Sequence, residues 1–348
     1  LRRGFRDRDF IQTVEDFLFC VIGSVHPTDR IISYVKYIPA EGGVWRRGEK
    51  GFKRIMRYYT MLDLIGTLNF LEKYPEYLYD SDVMGIRISA VPLNRVLMHF
   101  KPEEKMRELA NANRLDYLQS KALNLALIIS DESGVPLEFF GVTGSILLDI
   151  HQSFSDIDLT VYGVESNMRV KEALKRIYLL NKFGVRRFNS EEAREWCLNK
   201  SKMYPLTYEE AKILLDRRWN RGVFQGTMFS IHPVKLEDEV NEKYGDKIFR
   251  FEGMITIEAT VLDDSEIDFM PSVYAVGDVK VIEGPPVKDI RELVSYEGLY
   301  SGLASKGERV RAYGKLERVI DIKRNEEYYR VLVGSQEAHG RDYIKPLL

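Results

Sequence analysis

Cysteine is almost absent. Cys20 and Cys197 are the only two, far apart in the chain. That scarcity excludes a disulfide framework and a thiolate metal site, and it points to two buried thiols in a reducing compartment. The five histidines show no His-x3-His spacing, so a zinc site is not expected either. No run approaches the roughly 20 apolar residues that a bilayer-spanning helix needs. The first residues, Leu1-Arg2-Arg3-Gly4 and on to Asp9, are charged and unlike a secretory leader. The expectation is a cytoplasmic protein with no membrane partner. Charge of one sign is lacking as well: the formal net charge is −2, so any nucleic-acid contact must come from a local patch. Glutamine occurs only five times while charged residues reach 30%. That bias is common in proteins of thermophilic organisms.

What is present is length and an ordinary apolar share. The 348 residues, 45% of them hydrophobic, predict two or three domains. Residues 1–100 read as an α+β domain, with strands around 9–14, 17–22 and 30–38. A helix is expected over 51–71 from Phe52, Ile55, Tyr59, Leu62 and Ile65 at helical spacing, and a strand over 83–91. A helical stretch at 101–135 reads as a link to the next domain. Residues 136–245 alternate strand and helix, predicting a mixed α/β core with its later strand at 227–234. From 246 to 348 the pattern is short alternating segments around 248–262, 273–282, 309–320 and 328–333. These predict a small all-β, barrel-like domain. The fold expected is therefore α+β multidomain.

One run carries chemistry: Gly141-Val142-Thr143-Gly144-Ser145, ten residues, then Asp156-Ile157-Asp158-Leu159-Thr160-Val161. Residues two apart on a strand share a face, so Asp156 and Asp158 present two carboxylates together while Ile157 and Leu159 turn inward. Such a pair repels itself unless a cation intervenes. Oxygen ligands suit Mg2+ or Mn2+, with phosphate oxygens completing the shell. Gly144 permits a tight turn and Ser145 can donate to a phosphate oxygen at the start of a helix. Phosphate cradle and metal pair would then lie on adjacent strands, as metal-assisted nucleotidyl transfer requires.

The run resembles the signature of the DNA polymerase β-type nucleotidyltransferase superfamily: a Gly-Ser turn, about ten residues, then an acid–hydrophobic–acid strand. The chain also resembles an archaeal group described only as predicted nucleotidyltransferases. The resemblance implies transfer of a nucleoside monophosphate from a nucleoside triphosphate to a hydroxyl acceptor, with Asp156 and Asp158 as metal ligands and catalytic residues. It also implies a third acid on a later neighbouring strand. The strand expected there offers Ser230 and His232 and no carboxylate, leaving Glu252 and Glu258 as substitutes. A catalytically inactive nucleotide- or nucleic-acid-binding protein is the alternative.

Weaker signals complete the reading. Arg217 and Arg221, in Arg217-Arg218-Trp219-Asn220-Arg221, suit a triphosphate or, equally, a solvated helix end. The basic segment 45–57, with Trp45 and Phe52, and the carboxy-terminal β-domain are the places where nucleic acid would bind. His151 falls in the loop between Ser145 and Asp156, where a plain loop histidine is the simpler reading. Acceptor, nucleotide preference and oligomeric state leave no trace in the sequence.

Overall fold

The computed structural model describes residues 3–56, 58 and 60–347. Among them are seven α-helices and three β-sheets, a mixed α/β, multidomain chain. The amino-terminal sheet has eight strands and is built on the hairpin Phe10–Thr13 and Leu18–Val21, which turns at Asp16 with φ of 65°. Arg30–Pro39 pairs with Leu18–Val21, Lys50–Arg54 and Ile86–Pro92.

The helix expected over 51–71 is shorter. Lys50–Arg54 is a strand, hairpinned to Trp45–Arg47 across Gly48, whose φ is +60°. Gly51 is packed so tightly that an added Cβ would stand 2.7 Å from the Ala40 carbonyl oxygen. The three-residue spacing of Phe52 and Ile55 imitated a helix, but cross-strand packing decides the matter. The helix starts at Met61, where the Thr60 side chain accepts from the Asp63 amide, and runs to Leu71. It buries Met61, Leu68 and Leu71, while Leu62 is exposed. Tyr59 and Arg57 lie outside the described residues.

The stretch read as a link is two helices, Pro102–Asn111 and Tyr117–Ser133, and neither is a spacer. Met106, Leu109, Leu118, Leu125 and Ile129 share one core with Phe140, Ile157, Leu159 and Ile231. Asp116 and Gln119 form a reciprocal cap at the start of the second helix, and Gly134 in the left-handed region ends it. The sheet beside them runs Val185–Arg186, Arg221–Phe224, Thr227–Val234, Ile157–Tyr162, Phe140–Val142. Ile157–Tyr162 is antiparallel to Phe140–Val142 and parallel to Thr227–Val234, with Asp158 opposite Ser230. The helix Val164–Leu180 covers it. Ile157, Leu159 and Val161 are fully buried. At about 1.5–3 kcal/mol each they fix which face of the strand looks out, since a one-residue slip would expose all three.

The last sheet closes on itself. Lys247–Asp263 pairs with Ser272–Glu283, then Ile290–Ser295, Glu326–Val333 and Arg309–Asp321, which returns to Lys247–Asp263. Ile290–Ser295 and Glu326–Val333 are parallel, the remaining pairs antiparallel. The result is a barrel-like sheet, as expected for this part of the chain. Tyr343–Leu347 is added beside Arg309–Asp321. Two helices, Ser190–Met203 and Tyr208–Arg217, pack Leu214 and the neighbouring Tyr204 and Leu206 into the barrel's core. The middle and last units are thus joined by shared apolar packing.

Candidate active site

All three units meet at a cleft of about 460 Å³. The glycine–serine turn and the acid pair face it together: Gly144, Ser145, Asp156 and Asp158 all line its wall. The turn is held to the strand by the Thr143 amide, which donates to the Asp158 carbonyl at 2.9 Å. The Thr143 hydroxyl donates to the Arg8 carbonyl at 2.7 Å, fastening the amino-terminal segment to the same turn. Gly144 has φ of +69°, and a Cβ there would lie 2.6 Å from Asp158 Oδ2. A side chain at 144 would therefore displace the carboxylate, a physical reason for glycine at this point. The helix that follows, Gly144–Leu147, is a single turn.

The two carboxylates differ in electrostatics. Ser230 Oγ donates to Asp158 Oδ1 at 2.5 Å, and His232 Nε2 lies 2.9 Å from Ser230 Oγ and 3.6 Å from Asp158 Oδ1. Burial works against the charge of Asp158, but His232, the Lys36 ammonium and Ser230 outweigh it. They hold the carboxyl well below the usual range. His232 is pushed down to about 4, by burial first and then by Arg8 and Arg221. Asp156 goes the other way, raised to about 6 by burial and by the charge of Asp158, with Arg221, Arg54 and Lys36 opposing. Asp156 is exposed to solvent and Asp158 half-buried, and both line the cleft wall.

The donor set fits a divalent ion in a limited way. Among the described residues no group of three or more His, Cys, Asp or Glu side chains could hold a metal. An ionised Asp158 that raises the proton affinity of its neighbour Asp156 suits Mg2+ or Mn2+ when phosphate and water oxygens supply the remaining ligands. They do not form a closed protein cage.

The other expected residues divide. Arg221 lines the cleft, at the start of its strand and half-buried. Arg217 does not: it grips Glu308 with both terminal nitrogens, at 2.6 and 2.9 Å, and the Leu303 carbonyl, so it ties the helix end to the barrel. Glu252 and Glu258 do not replace a third acid. They sit on the barrel surface paired with Arg318 and Arg311. His151 pairs with Asp116 at 2.7 Å, outside the cleft. Asp268 does line the cleft, but Trp219, Lys171 and Asn167 occupy its oxygens. In the segment 45–57, Arg47 donates to Gln12 and Lys50 pairs with Asp16, while Trp45 and Arg54 line the cleft.

Three cleft residues, Arg8, Lys200 and Glu297, carried no obvious sequence signal, whereas Arg54 and Arg218 fall within the two basic runs noted in the sequence. Lys36 did carry one. It is a lysine inside the apolar run Tyr34-Val35-Lys36-Tyr37-Ile38, only 5% exposed, with its ammonium 5.3 Å from the Phe10 ring centre. At the far side of the cleft Glu297 is raised to about 8 by burial and Asp342. Lys200 is lowered to about 8 by burial and by Arg221 and Arg218.

Among the described residues no helix is long and apolar enough to cross a membrane. No protein-family model matches the chain, and no solved structure matches it. A protein of Methanocaldococcus jannaschii, described only as uncharacterised, is 35% identical over 346 residues, covering 98% of each chain. With that identity over the whole length, the chain belongs to the same family as this archaeal protein.

Proposed function

We propose that the cleft is a metal-dependent nucleotidyltransferase site, which moves a nucleoside monophosphate from a nucleoside triphosphate onto a hydroxyl. The observation that carries this is the convergence of Asp156 and Asp158 with the Gly144–Ser145 turn on one cleft wall. The strand pattern around them supports the resemblance to the polymerase β-type superfamily: a turn-bearing strand antiparallel to the acid strand, and a later strand parallel to it. Asp156 and Asp158 would hold Mg2+ or Mn2+. That ion, when bound, lowers the charge repulsion between carboxylates and polyphosphate.

The chain's own groups do the rest. Ser145, which lines the cleft beside Gly144, would donate to phosphate oxygens. Arg221 and Lys36 add positive charge where the triphosphate collects. Ser230 keeps Asp158 ionised and oriented. In the transfer, the acceptor oxygen bonds to the α-phosphorus and the bond from that phosphorus to the β-bridging oxygen breaks. Pyrophosphate leaves with the electron pair, and the acceptor proton passes to water.

A second reading rests on one observation: Ser230 and His232 stand where the superfamily has a third carboxylate. On that reading the protein binds Mg2+–nucleotide without turnover, as a nucleotide or nucleic-acid sensor. Titration calorimetry with Mg2+–ATP tests both. Asp156→Ala is expected to abolish Mg2+-dependent binding while circular dichroism stays native. Undiminished binding in that variant refutes the site. Pyrophosphate release by the wild type separates enzyme from binder. A steep loss of affinity for single-stranded RNA with salt marks a polymer partner.

A further inference from the structure

A second chamber of about 360 Å³ adjoins the cleft. Six residues line both: Asp7, Ile22, Pro233, Phe269, Met270 and Tyr296. The two spaces are therefore neighbours through one wall, and the chamber lies at the same three-way junction. Its own lining is largely apolar, with Val25, Ile32, Met84, Phe249, Val273 and Val294 among it.

Most of the charged groups around the chamber already have an ionic or hydrogen-bonding partner. Lys235 pairs with Glu266 at 2.5 Å, and Lys247 with Glu242 at 3.0 Å. Arg330 bonds Glu317 at 2.8 Å and lies over the Phe249 ring. Glu292 accepts from the Tyr328 hydroxyl, and Asp7 accepts from the Gly23 amide. Lys243 is exposed. One polar group on the shared wall is uncommitted: Tyr296 makes no hydrogen bond among the described residues.

Apart from the exposed Lys243, the cations lining the chamber are already paired, so a charged ligand would find little free counter-charge here and would lose its hydration. An apolar body would gain from burial at about 25 cal/mol per Å². We infer that this chamber holds the apolar body of an uncharged alcohol, the acceptor of the transfer proposed above. Its hydroxyl is presented past Tyr296 toward the acid pair, with the nucleotide in the cleft. The inference rests on the nucleotidyltransferase reading for the acceptor role alone.

The probe is 2-naphthaleneethanol, followed by its fluorescence with the full chain. Saturable binding of one equivalent is expected, with the anion 2-naphthaleneacetate at least tenfold weaker. Met84→Trp and Val25→Trp, which fill the chamber from different walls, should each weaken the alcohol at least tenfold and leave Mg2+–ATP binding unchanged. Asp156→Ala should do the reverse. Should either tryptophan variant fail to fold, a diazirine-bearing alkyl alcohol irradiated with the wild type reads the site directly. Label in peptides holding Val25, Met84 or Tyr244 is expected.

Absence of saturable binding, label confined elsewhere, or loss of the alcohol in Asp156→Ala overturns the chamber. Bound alcohol that receives no label from α-labelled ATP overturns its acceptor role. Failure of Mg2+–ATP to bind the wild type overturns the nucleotide reading instead, with the chamber's own result standing apart.

Discussion

Replacing Gly144 by alanine addresses the geometry on which the site depends. Its φ of +69° lies in the left-handed region, where a Cβ costs about 1–2 kcal/mol. The new Cβ would also stand 2.6 Å from Asp158 Oδ2 and 3.5 Å from Asp158 Cγ. The carboxylate must turn, and turning it strains the 2.5 Å bond from Ser230. A hydrogen bond to a charged group contributes about 1.5–3 kcal/mol. The two effects together predict a loss of about 2.5–5 kcal/mol. Gly226 is the control: φ is +79° and nothing stands within 4 Å of an added Cβ. Gly226→Ala should therefore lose only the backbone part, about 1–2 kcal/mol. Urea unfolding at pH 7 measures both losses. Calorimetry should show Mg2+–ATP binding intact in Gly226→Ala and at least tenfold weaker in Gly144→Ala. Equal stability losses with unaltered nucleotide binding would refute the argument.

Arg217→Ala should cost roughly 1 kcal/mol, since its pair with Glu308 is partly exposed, and leave nucleotide affinity unchanged. Arg221→Ala should weaken Mg2+–ATP severalfold in the same calorimetric assay with little change in stability. Glu297 gives a pH dependence: burial raises its folded value to about 8, above the ordinary 4.5. Between those values the folded state binds more protons, so stability falls as pH rises through that window, by at most about 5 kcal/mol. In urea titrations at pH 5 and pH 9, Glu297→Gln should flatten that fall and be the more stable protein at pH 9. A parallel fall in both proteins would remove Glu297 as its source.

How much of this the sequence disclosed follows from the range of each signal. Alternation along one strand is local, so Asp156 and Asp158 were readable, as was the burial of Ile157 and Leu159 between and beyond them. The Gly144 turn was readable too, because the close approach it permits is made to Asp158, only fourteen residues further on. The positive groups opposite came from elsewhere. Arg8 and Arg54 reach the cleft through the amino-terminal sheet, and pairings of that kind leave no local period. Arg217 and Arg221 looked alike in sequence, yet four residues of backbone separate a helix end facing the barrel from a strand start facing the cleft. The helix expected from Gly51 failed for the same reason: Phe52 is held by cross-strand partners that helical spacing cannot reveal.

The position opposite Asp158 decides how many ligands this cleft offers a metal. Parallel register puts Ser230 beside Asp158, close enough for a 2.5 Å bond, so a carboxylate at 230 would enter the same small space. The hydroxyl there is a donor that favours the ionised form of Asp158, whereas a third acid would raise the pair's proton affinity further until a cation arrived. The arrangement therefore favours an ion that comes with its phosphate ligands over one held by protein alone. Ser230→Asp reverses that choice. Read by Mn2+ electron paramagnetic resonance without nucleotide, the variant should bind Mn2+ at least tenfold more tightly than the wild type. Adding ATP should close the gap. Tight nucleotide-free Mn2+ binding by the wild type, unchanged in Ser230→Asp, would mean that residue 230 does not set the ligand count.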